Sequence, residues 1–173
     1  MRRRTLIIAL TVMACALLGG SLSSSTRAGT PLPCDLTLRF GSRSGRPPGQ
    51  FHVNLVFTNS RYDTPCRVLG FPDVELIGPA VRVYGSIFSL DDQAGSSQST
   101  LLRLGQSAHA LLTLLPPSLP SDRWVPSYIR VVVRTSRGPS LPMALPWNLG
   151  PILRQDAATH PGTYVGPLRG GTG

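Results

Sequence analysis

The sequence predicts an all-β protein, an immunoglobulin-like two-sheet β-sandwich of about seven to nine short strands. Three observations predict it. Short runs alternate apolar and polar residues, the period of a strand with one face buried. Gly, Pro, Ser and Thr recur between those runs as turn formers. No long segment carries an apolar repeat of helical period, so little helix is expected.

The first segment lies outside that pattern. Arg2, Arg3 and Arg4 precede a run from Leu6 to Leu18 that is apolar except for Thr11, and small residues follow from Gly19 to Ser25. This is the layout of a secretory signal peptide, and the run is short for a bilayer span. Thr26-Arg27-Ala28 places small residues at the selective positions before Gly29; a cut near Gly20 also fits. Val12-Met13-Ala14-Cys15 is a degenerate lipidation motif with a bulky Met13, so free secretion ranks ahead of a lipid anchor at Cys15. Arg3-Arg4-Thr5-Leu6-Ile7 is a weak match to a twin-arginine signal. The expected organisation is a signal peptide over 1–28, a linker over 29–33, a sandwich over 34–150 and an irregular Gly/Pro-rich tail over 151–173. No further transmembrane segment is expected, and the location is outside the cell or on the outer face of its envelope.

The strands follow in order. In CDLTLRF (34–40), Cys34, Leu36, Leu38 and Phe40 face one way and Asp35, Thr37 and Arg39 the other. GSRSGRPPG (41–49) reads as a loop. QFHVNLVFTN (50–59) alternates again, with Phe51, Val53, Leu55 and Phe57 inward and His52 and Asn54 outward. CRVLG (66–70) and DVELIG (73–78) read as two strands around a corner at Gly70 and Pro72, since glycine tolerates positive φ and proline fixes φ. RVYGSIFSL (82–90) reads as a strand with a bend at Gly85, and DDQAGSSQS (91–99) as a polar tip. TLLRL (100–104) and SAHALLTLL (107–115) flank a turn, PPSLPSD (116–122) excludes regular structure, and SYIRVVVRT (127–135) is a strand. SLPMALPW (140–147) is an edge at most, because proline cannot donate to a ladder.

Two cysteines remain beyond the leader, Cys34 and Cys66. An even number in an exported chain reads as one disulfide. If 34–40 and 50–59 pair antiparallel, Asn59 returns beside Cys34, and the short connection 60–65 brings Cys66 back to the same end. The chain holds seventeen basic residues, all arginine, against eight acids, for a net charge of +9. Four of the arginines lie in the leader, which leaves thirteen and a charge of +5. They are scattered rather than clustered with aromatics on one face, which excludes a nucleic-acid reader. A mildly basic exported chain suits anionic envelope polymers, lipid headgroups or another exported protein as partner.

VFTNSRYDTPCRVLGFPDVELIG (56–78), preceded by Cys34 and followed by LRLGQSAHALL (102–112), resembles an actinobacterial exported family known only as a domain of unknown function. The resemblance rests on Cys-x-Leu-x-Gly-aromatic-Pro-x-Val, here Cys66 to Val74 with Leu69 one place late, and on Leu102, Gly105, Ala108 and Ala110 of a Gly-x-x-Ala-x-Ala element. It covers about residues 34–147. The resemblance implies export and a β-sandwich, and no activity. Many members carry a second cysteine pair, with one partner near the position of Pro120 to Trp124; this chain has none.

No catalytic constellation is legible. His52 and His109 sit at outward strand positions, and His160 is the third histidine. Their spacing to Cys or Asp fits no zinc site. GSRSG (41–45) has Arg43 where a nucleophile elbow needs serine. Glu75, the single glutamate, sits at an outward strand position, and Asp91-Asp92 read as a charged loop tip. No cofactor and no metal are expected. The function expected is that of a non-catalytic module that binds or supports structure at the envelope; the alternative is a small secreted hydrolase, recognisable by a cleft that joins His52 or His109 to an acid and a hydroxyl. The expected contact loops are 41–49, 91–99 and 116–124, with exposed Arg43, Arg46, Arg123 and Trp124 as the candidate contact residues.

N-terminal sequencing of the exported protein should find residues 1–28, or at least 1–20, removed. A start at an acylated Cys15 would replace free secretion by anchoring.

Overall fold

The computed structural model describes residues 34–45, 49–81, 84–155 and 161–173. The expected signal peptide, the linker, Arg46 and His160 lie outside the described residues. Alternation of apolar and polar positions resolves into two sheets packed face to face, the sandwich the pattern predicts. In chain order the strands begin with β1 (Leu36–Ser44), β2 (Phe51–Asn59), β3 (Cys66–Ile77), β4 (Ile87–Ser89) and β5 (Asp91–Asp92). Next come β6 (Ser99–Leu102), β7 (Ser107–Leu114), a single 3-10 turn (Pro120–Asp122), β8 (Arg123–Trp124) and β9 (Tyr128–Thr135). The last are β10 (Gly138–Pro139), β11 (Met143–Pro146), β12 (Ile152–Leu153), β13 (Tyr164–Val165) and β14 (Arg169–Gly170).

The first sheet has the order β1-β2-β7-β13-β5, and β14 also pairs with β7. The second has the order β10-β9-β3-β4, with β11 also on β9 and β6 also on β3; β8 and β12 form a separate two-stranded pair. The inner faces interdigitate. Val53, Leu55 and Phe57 of β2 and Ala108, Ala110 and Leu112 of β7 meet Val68, Val74 and Leu76 of β3 and Ile129, Val131 and Val133 of β9, all buried. Outward residues of the second sheet pair across strands instead. Glu75 receives the Arg130 guanidinium, with Nε 2.6 Å away, and Asp73 receives that of Arg134 at 3.2 Å. This face is a charged, solvated surface. Among the described residues no helix is long and apolar enough to cross a membrane.

The disulfide joins Cys34 to Cys66, with Cα atoms 5.5 Å apart. Antiparallel pairing of β1 with β2 sets Leu36 opposite Asn59, as the bridge requires. Beside it the buried Asn59 side chain donates to the carbonyls of Leu102 (3.0 Å) and Thr64 (3.2 Å) and accepts from the Arg61 amide (3.1 Å). A buried amide satisfied on three sides fixes the connection into β3.

Four expectations are corrected. The two strands expected around Gly70 and Pro72 are one strand, β3. Between Leu69 and Asp73 it carries two more residues than β9 spans opposite, a bulge that Gly70 makes possible at φ +68°. The loop expected at 41–49 begins later, because β1 runs to Ser44 through a bulge after Phe40. Gly41 allows that path: a Cβ there would stand 2.8 Å from the Val56 methyl. Of the strand expected over 82–90, Ile87–Ser89 forms one and residues 84–86 do not; residues 82–83 lie outside the described residues. The irregular tail expected over 151–173 is structural. Ile152, Val165 and Leu168 are fully buried, β13 and β14 extend the first sheet, and the Leu168 amide donates to the Gly70 carbonyl at 2.8 Å. The bulge in β3 therefore offers the carbonyl that holds the returning chain. Its glycines and prolines hide this role, since its strands are two residues long and carry no alternation to detect.

Leu168→Ala should cost about 2–5 kcal/mol of unfolding free energy, the range for a fully buried leucine. Denaturant unfolding measures it, and a loss near zero would mean that the tail does not close the core.

Candidate functional site

Antiparallel pairing of β2 with β7 sets Phe51 opposite Leu114, so the loops after Ser44 and after Leu114 emerge at one end of the sandwich. At that end, between Arg43 and Phe51 on one side and residues 116–123 on the other, lies a shallow groove of about 390 Å³. Its walls are Pro116, Pro117, Pro120 and Pro151 with Leu119 and Leu149, and Arg43 and Arg123 line it. The Arg43 guanidinium stacks on the Phe51 ring, 4.5 Å from its centroid. Leu119 is 59% exposed, and no acidic residue lines the groove among the described residues. Prolines hold such a wall rigid because their φ is fixed, so little conformational freedom remains to be lost when a ligand docks. The groove thus combines an apolar floor with two cations at its margin. Arg43 and Arg123 come from separate expected loops and meet here.

Trp124 does not join them, which corrects its expected exposure. It is 3% exposed, donates from Nε1 to the Pro79 carbonyl at 2.9 Å and meets Phe88 edge to face. Alternation across the two-residue β8 turns Arg123 outward and Trp124 inward, so neighbours in sequence part company. Behind Trp124 lies Arg154, which sequence reasoning passed over. Its guanidinium is buried, 4.8 Å from the Tyr84 centroid and 4.9 Å from that of Trp124, and bonds the carbonyls of Gly85 and Ile87. Cation–π contact and two carbonyls suit a guanidinium, whose charge cannot be neutralised by losing a proton. Arg154 thus braces the loop before β4 against β12. The aromatic cluster around it is visible only after folding.

A second concavity, of about 530 Å³, holds His52 with Thr113, Asp91 and Asp92. His52 and Thr113 share a hydrogen bond of 3.1 Å between Nδ1 and Oγ1. His52, expected in full solvent, is half-buried, as is His109, whose Nδ1 donates to the Gly171 carbonyl at 3.3 Å. Asn54, also expected outward, is buried because Ser42 and Gly173 lie against it. Among the described residues no group of three His, Cys, Asp or Glu could hold a metal.

Partial burial of the largely exposed Asp92 side chain holds its carboxyl above its ordinary value of 3.8, repulsion from Asp73 and Asp91 adds to the rise, and Arg134 opposes it. The folded state therefore favours protonated Asp92. That contribution to stability is complete below pH 3.8 and is lost as pH rises through the raised value. Asp92→Asn should flatten the fall in stability over that window, as followed by denaturant unfolding across pH; an unchanged profile would contradict the burial.

No curated protein and no solved structure matches the chain. A family model described as Domain of unknown function (DUF4232) matches residues 33–166, from the first cysteine of the disulfide through β13, and so takes in most of the tail that the sequence pattern left out. This chain therefore belongs to the family of domains of unknown function designated DUF4232.

Proposed function

We propose that the chain is an exported, non-catalytic binding module of the cell envelope, and that its groove between Arg43 and Phe51 and residues 116–123 holds an anionic envelope polymer. The observation that carries this reading is the meeting of Arg43 and Arg123 on one rigid apolar groove with no carboxylate among the described residues of its lining. A polymer with regularly spaced phosphates or carboxylates would engage both guanidiniums while its backbone covers the prolines, and guanidinium is suited to both anions. Export is supported by the leader pattern, by the disulfide, which persists in oxidising compartments, and by the likeness of Cys66–Val74 to the actinobacterial exported motif.

The concavity around His52 favours a second reading, a small secreted hydrolase, because it joins a histidine to a hydroxyl and two acids. A nucleophilic triad needs a carboxylate on the imidazole and an open hydroxyl. Here the His52 ring bonds Thr113, and Thr113 is only 2% exposed. That geometry suits a fixed surface better than a reacting centre, so binding is the preferred reading.

Titration of the exported protein with poly(glycerol phosphate) tests it. The paired change Arg43→Ala and Arg123→Ala should weaken binding about ten-fold or more, equal to about 1.4 kcal/mol or more. Affinity should also fall as salt rises, since exposed charges are screened. Equal binding by both proteins would overturn the assignment of the groove. Turnover of ester or glycoside substrates that disappears in His52→Ala would put the hydrolase first.

A further inference from the structure

We infer that the polar cleft on the outer face of the first sheet is a separate binding site for a neutral saccharide. Its core is a row of side chains set by strand register. Thr113 of β7 stands opposite His52 of β2, Tyr164 of β13 opposite Thr113, and Asp91 of β5 opposite Tyr164. Residues directly opposed across a ladder share a face. His52 faces outward here, because its neighbours Phe51 and Val53 fill the core. Four strands therefore set imidazole, hydroxyl, phenol and carboxylate in one line, the buried Thr113 hydroxyl bracing His52, and Gln50 and Gln93 add amides to the same cleft. Its volume of about 530 Å³ is that of a small-ligand site.

The chemistry of this lining selects among ligands. A sugar ring offers adjacent hydroxyls, each of which both donates and accepts. Amides supply both roles from one plane, a carboxylate accepts from two donors, and the imidazole, its Nδ1 already bonded to Thr113, offers Nε2. Ala94 and Pro161 add apolar surface for the C–H face of a ring. In a chain of net charge +9 this cleft has, among the described residues, no arginine in its lining and two carboxylates, so phosphates and uronic acids are repelled. A metal ion is a poor occupant, since no three ligating groups converge among the described residues. The frame is also fixed before any ligand arrives. The Gln50 amide nitrogen donates to the Gly162 carbonyl at 2.6 Å, which leaves its oxygen as the acceptor for a ligand, and His52 is held by Thr113. Groups positioned in advance lose little freedom on binding.

This site differs from the arginine groove in face and in charge. Phe51 packs inward and lines the groove, whereas Gln50 and His52 line the cleft. The test is an amide-resolved NMR titration of the exported protein with maltotriose, cellotriose and tri-N-acetylchitotriose, with trigalacturonate as the acidic counterpart. At least one neutral trisaccharide should give saturable shifts centred on Gln50, His52, Gln93 and Thr113, and trigalacturonate should give none. Asp91→Ala, an exposed position whose loss leaves the fold intact, should weaken that binding about ten-fold. The inference is overturned if no neutral trisaccharide gives saturable shifts by about 20 mM, well above the millimolar range of weak specific binding. It is equally overturned if the shifts centre elsewhere, if trigalacturonate binds as well, or if Asp91→Ala binds unchanged.

Discussion

The rest of the fold depends on how the chain passes from one sheet to the other beside the Cys34–Cys66 bond. Cys34 lies just before β1 in the first sheet, and Cys66 opens β3 in the second. The bond joins the two layers at the point where the chain crosses between them. Asn59 completes the joint with hydrogen bonds to both sides of the crossing. β3 is the strand on which β9, β6 and β4 assemble, so its starting position sets the second sheet. A covalent tie limits how far the sheets can slide, and a satisfied buried amide limits which register they adopt.

How far the sequence could be read follows from how local each signal is. Alternation over eight or nine residues is local, and β2, β7 and β9 stand where it places them, with the disulfide following from the pairing of β1 with β2. The bulge at Gly70 is half local: glycine announces positive φ, but whether the chain turns a corner or stays in the ladder depends on β9 lying alongside. The tail is non-local. Val165 and Leu168 have no alternating neighbours, and their burial comes from β7 and β3, more than fifty positions earlier. Asn54 was misread for the same reason, because what covers it comes from other parts of the chain.

The sites divide likewise. Arg43 and Arg123 were legible as exposed loop cations, and the structure adds that they share a groove. Trp124 was misread because a tryptophan in a proline-rich segment gives no sign of the cavity it fills until Phe88 and Arg154 surround it. The row from His52 to Asp91 could not be read at all. It requires the parallel pairing of β13 with β5, which joins segments far apart in the chain.

The placement of β13 and β14 has a consequence for the order of assembly. A ribosome delivers β2 and β7 well before residues 164–170, yet those residues cover an edge of β7 and donate to the bulge of β3. Closing such long loops is entropically costly and gains contacts only at the end, so this topology belongs with slow-folding sandwiches. Until the tail arrives, one side of β7 is an unpaired edge and the core lacks Leu168. The nascent chain therefore remains incompletely closed while the tail is still being made.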